Sequence, residues 1–417
     1  MRIIKISLVI FLISASVWAD GGSLYTRKGI GDLYFALNAR RFSLGGGGIA
    51  LKDVVDFSSL NPAGWYSIKR TRFDAGMYYN ASALSNSSSS VKYAQAKISG
   101  FSIAVPVDTT KGIVLAGGLV PYSNVMYEVD AQESDPLVGS YKAIYEGSGG
   151  INKIFAGISF NLPLDFSVGA AFEYYYGRIE YNSNSIMADV QYKNGIFKDL
   201  DNYQGTAINA GIITPDLSRI FGSKDISDLH LGLSVNSFFL LKRDSSEVSG
   251  SSDSTFVSSS VSQKINMPVR LGYGLSVKLF NRYQFVADYI YQPFAQYSVN
   301  NIKPGVYQNL NRYSAGVEYA NPNPDKESYW DRVTYRLGVS FENSQYFMNS
   351  TSINQYAMYA GFSLPFGNIY GGTYNTIDIG LQYGERGTTS NNLIKEKFFT
   401  LNVGISMGEL WFIRTER

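Results

Sequence analysis

The chain of 417 residues has no cysteine and one histidine, His230. Disulfides, thiolate nucleophiles and cysteine-based metal sites are excluded, and so is a centre built on several histidines. A Ser–His hydrolase would have only His230 as its base. That residue falls on the polar face of its segment beside Gly232 and Ser234, where a hydrogen-bonding role is expected rather than catalysis. No catalytic residue, metal or cofactor is therefore assigned. Charge is sparse, at 17% of residues and a formal net +2, which falls to 0 once Arg2 and Lys5 are set aside with an N-terminal signal. Nothing remains to attract a polyanion, so nucleic acid is not an expected partner. Beyond the N-terminal region there is also no run of 18 apolar residues, which rules out helical membrane spans.

What the chain does have is 32 Tyr, 25 Phe and 41 Gly. A membrane β-barrel uses that much aromatic surface as lipid-facing bands and interfacial girdles. Residues 1–19 read as a secretory signal: Arg2 and Lys5, an apolar core from Ile6 to Ile13, then Val17-Trp18-Ala19 before Asp20. From Phe73 onward the sequence alternates with period two. Phe399, Leu401, Val403, Ile405 and Met407 alternate with Thr400, Asn402, Gly404 and Ser406, and Val333 to Glu342 and Ile377 to Tyr383 do the same. The polar faces are mostly Gly, Ser, Thr and Asn rather than dense Lys and Glu, and Tyr289, Tyr291 and Tyr319 sit on apolar faces near strand ends. That is a lipid-out, polar-in pattern, unlike a soluble sandwich or β-helix.

Fourteen such segments are expected, near 72–82, 91–106, 111–130, 145–162, 165–182, 203–214, 228–244, 256–279, 283–299, 310–320, 332–347, 354–365, 374–386 and 397–412. The fold class is thus all-β, a transmembrane antiparallel barrel of about 14 strands. An even number returns the chain to the side where it began. Pro163-Leu164 and Asn281-Arg282 read as tight periplasmic turns, while 215–227 and 321–331 are longer, with a helical turn expected over Asp216 to Gly222. The Ser-rich stretches 83–90, 183–202 and 245–255 read as exterior loops. A barrel this wide has more interior than side chains alone fill. Residues 20–70 supply the only substantial non-strand segment, so the expected division is signal 1–19, plug 20–70 and barrel 71–417.

The plug candidate centres on Ser43 to Trp65, with glycines at 45–48 and then Asn61-Pro62-Ala63-Gly64. No Gly-Lys-Ser/Thr follows, so a phosphate loop is rejected in favour of permissive backbone in a compact plug. Asn61 reads as a turn initiator or, alternatively, a ligand contact. Lumen-facing charges, among them Lys153, Glu173, Arg270, Asp288, Arg312, Glu318, Arg336, Glu342 and Asp378, read as a paired network holding plug to barrel. Carboxylate binding is their competing role. Pro121 cannot donate a ladder hydrogen bond, so a kink or bulge is expected there. Tyr122 and Tyr127 read as girdle residues or as the lining of an apolar access groove.

The glycine run, Ile49-Ala50, Asn61 to Gly64 before strand one, and Val120-Pro121-Tyr122-Ser123 within strand three resemble the long-chain fatty acid transporter family of the FadL/TodX type. The run Ile377-Asp378-Ile379-Gly380, with Tyr383-Gly384, Arg386-Gly387 and Glu396, is similar to the branch of that family common in Bacteroidetes and Chlorobi-type bacteria. The resemblance covers the layout of the whole mature chain, although its motifs are short. Many outer-membrane barrels end on an aromatic residue, whereas Trp411-Phe412 is followed here by residues up to Arg417. The resemblance implies a monomeric channel in the outer membrane of a Gram-negative-type bacterium. Its partners are the lipid bilayer and a hydrophobic small molecule such as a long-chain fatty acid or aromatic hydrocarbon. The molecule passes a hatch that includes Asn61, Pro62, Ala63 and Gly64 and leaves sideways through a kinked third strand at Pro121 and Tyr122. The alternative is a barrel serving a secretion system as scaffold or shuttle, with a protein partner.

Overall fold

A computed structural model describes residues 22–409 apart from 37, 88, 190, 252, 323–327 and 371–372. The signal reading for 1–19 and the Trp411-Phe412 end lie outside the described residues. Alternation in the sequence becomes antiparallel strands with one face to lipid. Fourteen build the wall: β1 (Thr71–Ser85), β2 (Ser90–Asp108), β3 (Ile113–Asp135), β4 (Gly139–Asn161), β5 (Ser167–Met187), β6 (Gly195–Ile213), β7 (Ile226–Ser251), β8 in two parts (Val261–Asn266 and Arg270–Leu279), β9 (Tyr283–Gln292), β10 (Leu310–Tyr319), β11 (Thr334–Met348), β12 (Thr351–Tyr370), β13 (Thr373–Arg386) and β14 (Lys395–Glu409). β14 pairs with β1 from Lys395↔Ser85 to Glu409↔Thr71 and closes the barrel.

Outward faces carry exposed apolar side chains such as Leu337, Val339, Tyr313 and Met358. The aromatics among them form rows. Tyr273, Tyr289, Tyr313, Phe341 and Tyr356 follow one another across five strands with ring centroids 4.9–6.2 Å apart. Tyr283, Tyr319 and Tyr335 make a second row, 5.4 and 6.5 Å apart, toward the opposite end of the barrel. Two rows bracketing an apolar band are what membrane–water interfaces select. Rows of this kind account for Tyr289 and Tyr319. Tyr122 and Tyr127 are instead buried inside, packed with Tyr175, Tyr203, Ile151 and Ile179.

Three sequence expectations are corrected. The stretches 183–202 and 245–255 are mostly paired strand: Ser185 pairs with Gly195, and Ser251 with Gly195 and Ser254. A membrane crossing needs only ~9–11 residues, so strands of 23, 23, 21, 19 and 26 residues (β3 to β7) run well past it. Outside lipid no apolar face is needed and the alternation fades, although the ladder continues. The strand expected over 283–299 stops at Gln292, because Pro293 has no N–H to donate. The strand expected over 256–279 breaks between Asn266 and Arg270, around Pro268. Its inward face changes phase there: Ile265 and Met267 point in on one side of the break, Arg270 and Ser276 on the other.

The turn-rich end behaves as read. Leu217–Ile220 forms a 3-10 turn whose cap, Asp216, accepts from Ser218 N–H at 2.9 Å. His230 lies nearby, its Nδ1 3.0 Å from the Thr214 carbonyl.

Candidate functional site: the lumen and the β2–β3 seam

Residues 22–70 lie outside the barrel's strand order, and many of them pack against inward-facing strand residues. Asn38 caps a short helix, Ala39–Ser43 (α1), by accepting from Arg41 N–H at 2.8 Å. Before α1 lie a 3-10 turn, Leu24–Arg27, and a two-residue strand, Asp32–Leu33. After α1 the backbone enters the left-handed region at Gly45 (φ 78°), Gly46 (φ 73°) and Gly48 (φ 103°), which side chains rarely tolerate. The loop wraps the Asp288 carboxylate of β9, which accepts from the N–H of Gly48 and, at 2.9 Å, of Ile49. Strand glycines make room for it. A Cβ at Gly338 of β11 would meet Gly45 N at 2.5 Å.

Asn61 is structural in this arrangement. Its Oδ1 accepts from Ala63 N–H at 3.0 Å, capping the 3-10 turn Pro62–Ser67, and its Nδ2 donates to Ile49 O at 2.8 Å. Ala63 and Trp65 are fully buried, and Trp65 packs against Phe155 of β4 with centroids 6.0 Å apart. Gly169 and Gly211 give the turn its seat, since a Cβ at Gly211 would collide with Asn61 Oδ1. Gly64 completes the turn by donating to Asn61 O at 3.2 Å.

Ion pairs tie the segment to the wall. Arg40 reaches Asp53 at 2.6 Å and Glu318 of β10 at 3.0 Å. Arg336 of β11 also holds Glu318 at 2.6 Å and lies 3.8 Å from Asp378 of β13. Glu342 pairs with Arg312 at 2.8 Å, and Arg312 donates to Gly45 O at 2.7 Å. Arg386 joins Asp32 at 2.8 Å to Glu396 at 2.7 Å. Arg41 pairs with Asp56. Arg336 and Asp378 are thus brought into one network with Glu318 and Arg40, while Glu342 forms a separate pair with Arg312. Arg270 joins neither: among the described residues it has no ion pair, and it stacks on the Phe35 ring at 6.0 Å. Sequence reading missed Arg40, Arg41, Asp53 and Asp56, because an irregular segment has no alternation to say which side chains point outward.

One seam of the wall, between β2 and β3, has a short ladder. β2 and β3 pair from Asp108↔Ile113 to Phe101↔Leu119 and no further among the described residues. β2 goes on pairing with β1 as far as Ser90, and β3 with β4 as far as Asp135. Pro121 stands just past the last β2–β3 pair, and Tyr122 is bulged out of the β3–β4 ladder between Pro121↔Asn152 and Ser123↔Ile151. Tyr122 turns inward, its ring edge-on to Tyr175 at 4.8 Å. A cavity of about 70 Å³ lies behind the seam, bordered by Pro121, Val120, Phe35, Lys153 and Arg270. Asn61 to Gly64 do not border it, whereas Ser58 and Ser59 do.

With that geometry in hand, the chain can be set beside known proteins. The BamG family model matches residues 1–416. The chain belongs to the BamG family. No curated protein matches it. The fold of this BamG-family chain is shared with solved structures at low identity. The CymD monoaromatic hydrocarbon channel aligns with TM-score 0.59 and 14% identity over 91% of this chain and 99% of that one. A Pseudomonas aeruginosa FadL homologue gives TM-score 0.60 and 10% identity over 90% and 99%. The P. putida toluene transporter TodX gives 0.59 and 14% over 92% and 100%. At these identities the likeness shows the fold, a closed fourteen-stranded antiparallel barrel. The FadL/TodX resemblance therefore holds at the level of structure, and the family by sequence is BamG.

Proposed function

We propose that the protein is an outer-membrane conduit for hydrophobic small molecules, closed by residues 22–70 as a hatch and opening sideways at the β2–β3 seam. One observation carries this reading: among the described residues the wall lacks its β2–β3 ladder beside Pro121 and Tyr122, at the level where Asp32 and Leu33 pair with β3. A general porin needs no such gap. The cavity behind the seam, about 70 Å³, is smaller than the ~150 Å³ that accommodates benzene in an engineered core. The hatch must therefore move before a ligand passes. Asn61 to Gly64 anchor the hatch, and Pro121 and Tyr122 mark the seam. Similarity of fold to channels described as carrying monoaromatic hydrocarbons or toluene supports the class of cargo.

A second reading, a scaffold or shuttle for a secretion system, draws support from another feature. β3 to β7 continue beyond the membrane as a five-stranded sheet, a surface larger than transport requires. Mass spectrometry of the protein purified from membranes separates the two. Retained lipids or hydrocarbons at near-stoichiometric amounts are expected. A stable protein partner with no retained apolar molecule would replace the conduit by the scaffold.

A further inference from the structure

The two strands at the seam are interrupted in a matched way. Ser99 is the extra residue of β2, lying between Gly76↔Gly100 and Met77↔Ile98 in the β1 ladder. Tyr122 is the extra residue of β3 in the β4 ladder. One inserted residue reverses which face of a strand looks inward. Both strands reverse at the same level, so they stay in phase across the gap. Extending Phe101↔Leu119 through one extra residue on each strand sets Lys97 opposite Ser123 and Ala94 opposite Met126. Side chains already bridge within one residue of those positions: Tyr93 Oη donates to Glu128 O at 3.1 Å, and Lys97 donates to the Asn124 side chain. The outer seam is thus in register for a ladder, although no β2–β3 strand pairing is described there.

The edge of β3 that β2 leaves has another occupant. Asp32↔Asn124 and Leu33↔Ser123 pair antiparallel to β3, in the direction β2 runs. Tyr34 N–H donates to Tyr122 O at 2.9 Å, and Met126 N–H to Thr26 Oγ1 at 3.3 Å. β4 holds the opposite edge of the same residues, so β2 and residues 26–34 cannot both take this one.

We propose that the N-terminal segment and the outer half of β2 compete for one edge of β3, and that the wall opens and closes by exchanging these two strands. The seam is then held open by the docked segment, and release of residues 26–34 lets β2 zip onto β3 as far as the Tyr93 level. The exchange gives a mechanism to the outlet proposed above and rests on that reading for its purpose, but not for its test.

The native chain has no cysteine, so introduced thiols report cleanly. In the full-length protein folded in membranes, the pair Ala94→Cys with Met126→Cys is expected to oxidise slowly. It should oxidise about tenfold faster when Thr26→Val and Tyr34→Pro weaken the docked segment, since several hydrogen bonds are lost together. Phe101→Cys with Leu119→Cys, already paired, should form equally in both backgrounds and reports that the fold is intact. Thr26→Val alone, the milder change, should move the rate in the same direction. The pair Ala94→Cys with Glu128→Cys, two residues out of register, should not respond. Exchange is reciprocal, so locking Ala94 to Met126 should speed trypsin cleavage after Arg27 and Lys28, whose side chains are already exposed but whose backbone the docked segment holds. An Ala94–Met126 rate indifferent to the segment, or an off-register pair that responds equally, overturns the exchange. Loss of transport with these cross-links as expected would remove the conduit reading and leave the exchange standing.

Discussion

At the scale of single residues, the lumen is built from what the strands leave out. Inward positions on β10 to β13 are glycine where the segment passes closest: Gly316 and Gly338 face Leu44 and Gly45, and Gly361 and Gly380 face Ser43. These glycines weaken a strand, and their close approach to other backbone is the compensating gain. Gly338→Val places its Cβ 2.5 Å from Gly45 N, a backbone atom that cannot swing aside. Overpacking of that kind costs ~1–3 kcal/mol, so a lower melting temperature and faster trypsin cleavage after Arg40 and Arg41 are expected. Gly195→Val, whose Cβ meets nothing closer than 3.6 Å, should leave both readouts unchanged. Equal behaviour of the two variants would mean the segment is not seated on those glycines. Charges behave differently from glycines. Glu318 serves Arg40 and Arg336 together, and such buried pairs fix position more than they add stability.

At the scale of elements, legibility followed lipid. β9 to β14 alternate because one face meets hydrocarbon, and for β10, β11, β13 and β14 the expected segments lie close to the observed strands. The same rule left the outer halves of β5 to β7 unread, since a strand in water needs no apolar face. It also missed the phase change at Pro268, because Ile265 and Met267 are apolar in either direction. The role of Asn61 was readable because an Asn before Pro acts locally as a cap, whereas Arg40 and Asp53 meet only through the fold. One group of the N-terminal segment gives a pH test. Burial lowers the Lys52 amine from 10.5 to about 8, against the opposing pull of Asp165, Asp216 and Asp228. Its Nζ donates to Thr214 O at 3.0 Å and lies 4.8 Å over the Tyr66 ring. Between pH 8 and 10.5 the unfolded chain binds more protons at this site than the folded one, so stability rises with pH through that window and is flat below it. The melting temperature of the wild type relative to Lys52→Met should climb from pH 8 to 10.5. A constant difference would place the amine in water.

At the scale of the whole molecule, the wall and the segment are complementary in charge as well as shape, which fixes what the barrel becomes without its filling. Fourteen strands enclose more space than the ~8 whose side chains fill a barrel interior, and beside the apolar cluster around Tyr122 and Tyr175 the inward faces carry glycine, serine and charged residues that water will wet. Removing residues 24–64 takes away Arg27, Lys28, Arg40, Arg41 and Lys52 against Asp32, Asp53 and Asp56, five positive charges for three negative. The lumen therefore loses a net two positive charges. On the wall, Asp288 loses both backbone N–H donors, and Glu318 keeps Arg336 but not Arg40. Arg386 keeps Glu396 but loses Asp32, so Arg336 and Arg386 each retain a carboxylate while Asp288, among the described residues, loses the donors that hold it. Carboxylates lining a pore favour cations. The deletion should thus turn a silent barrel into a steadily conducting pore in planar bilayers, and the reversal potential in a salt gradient should show weak preference for cations. Unchanged conductance would mean the segment is not the plug, and anion preference would mean the charges of the segment do not face the path that ions take.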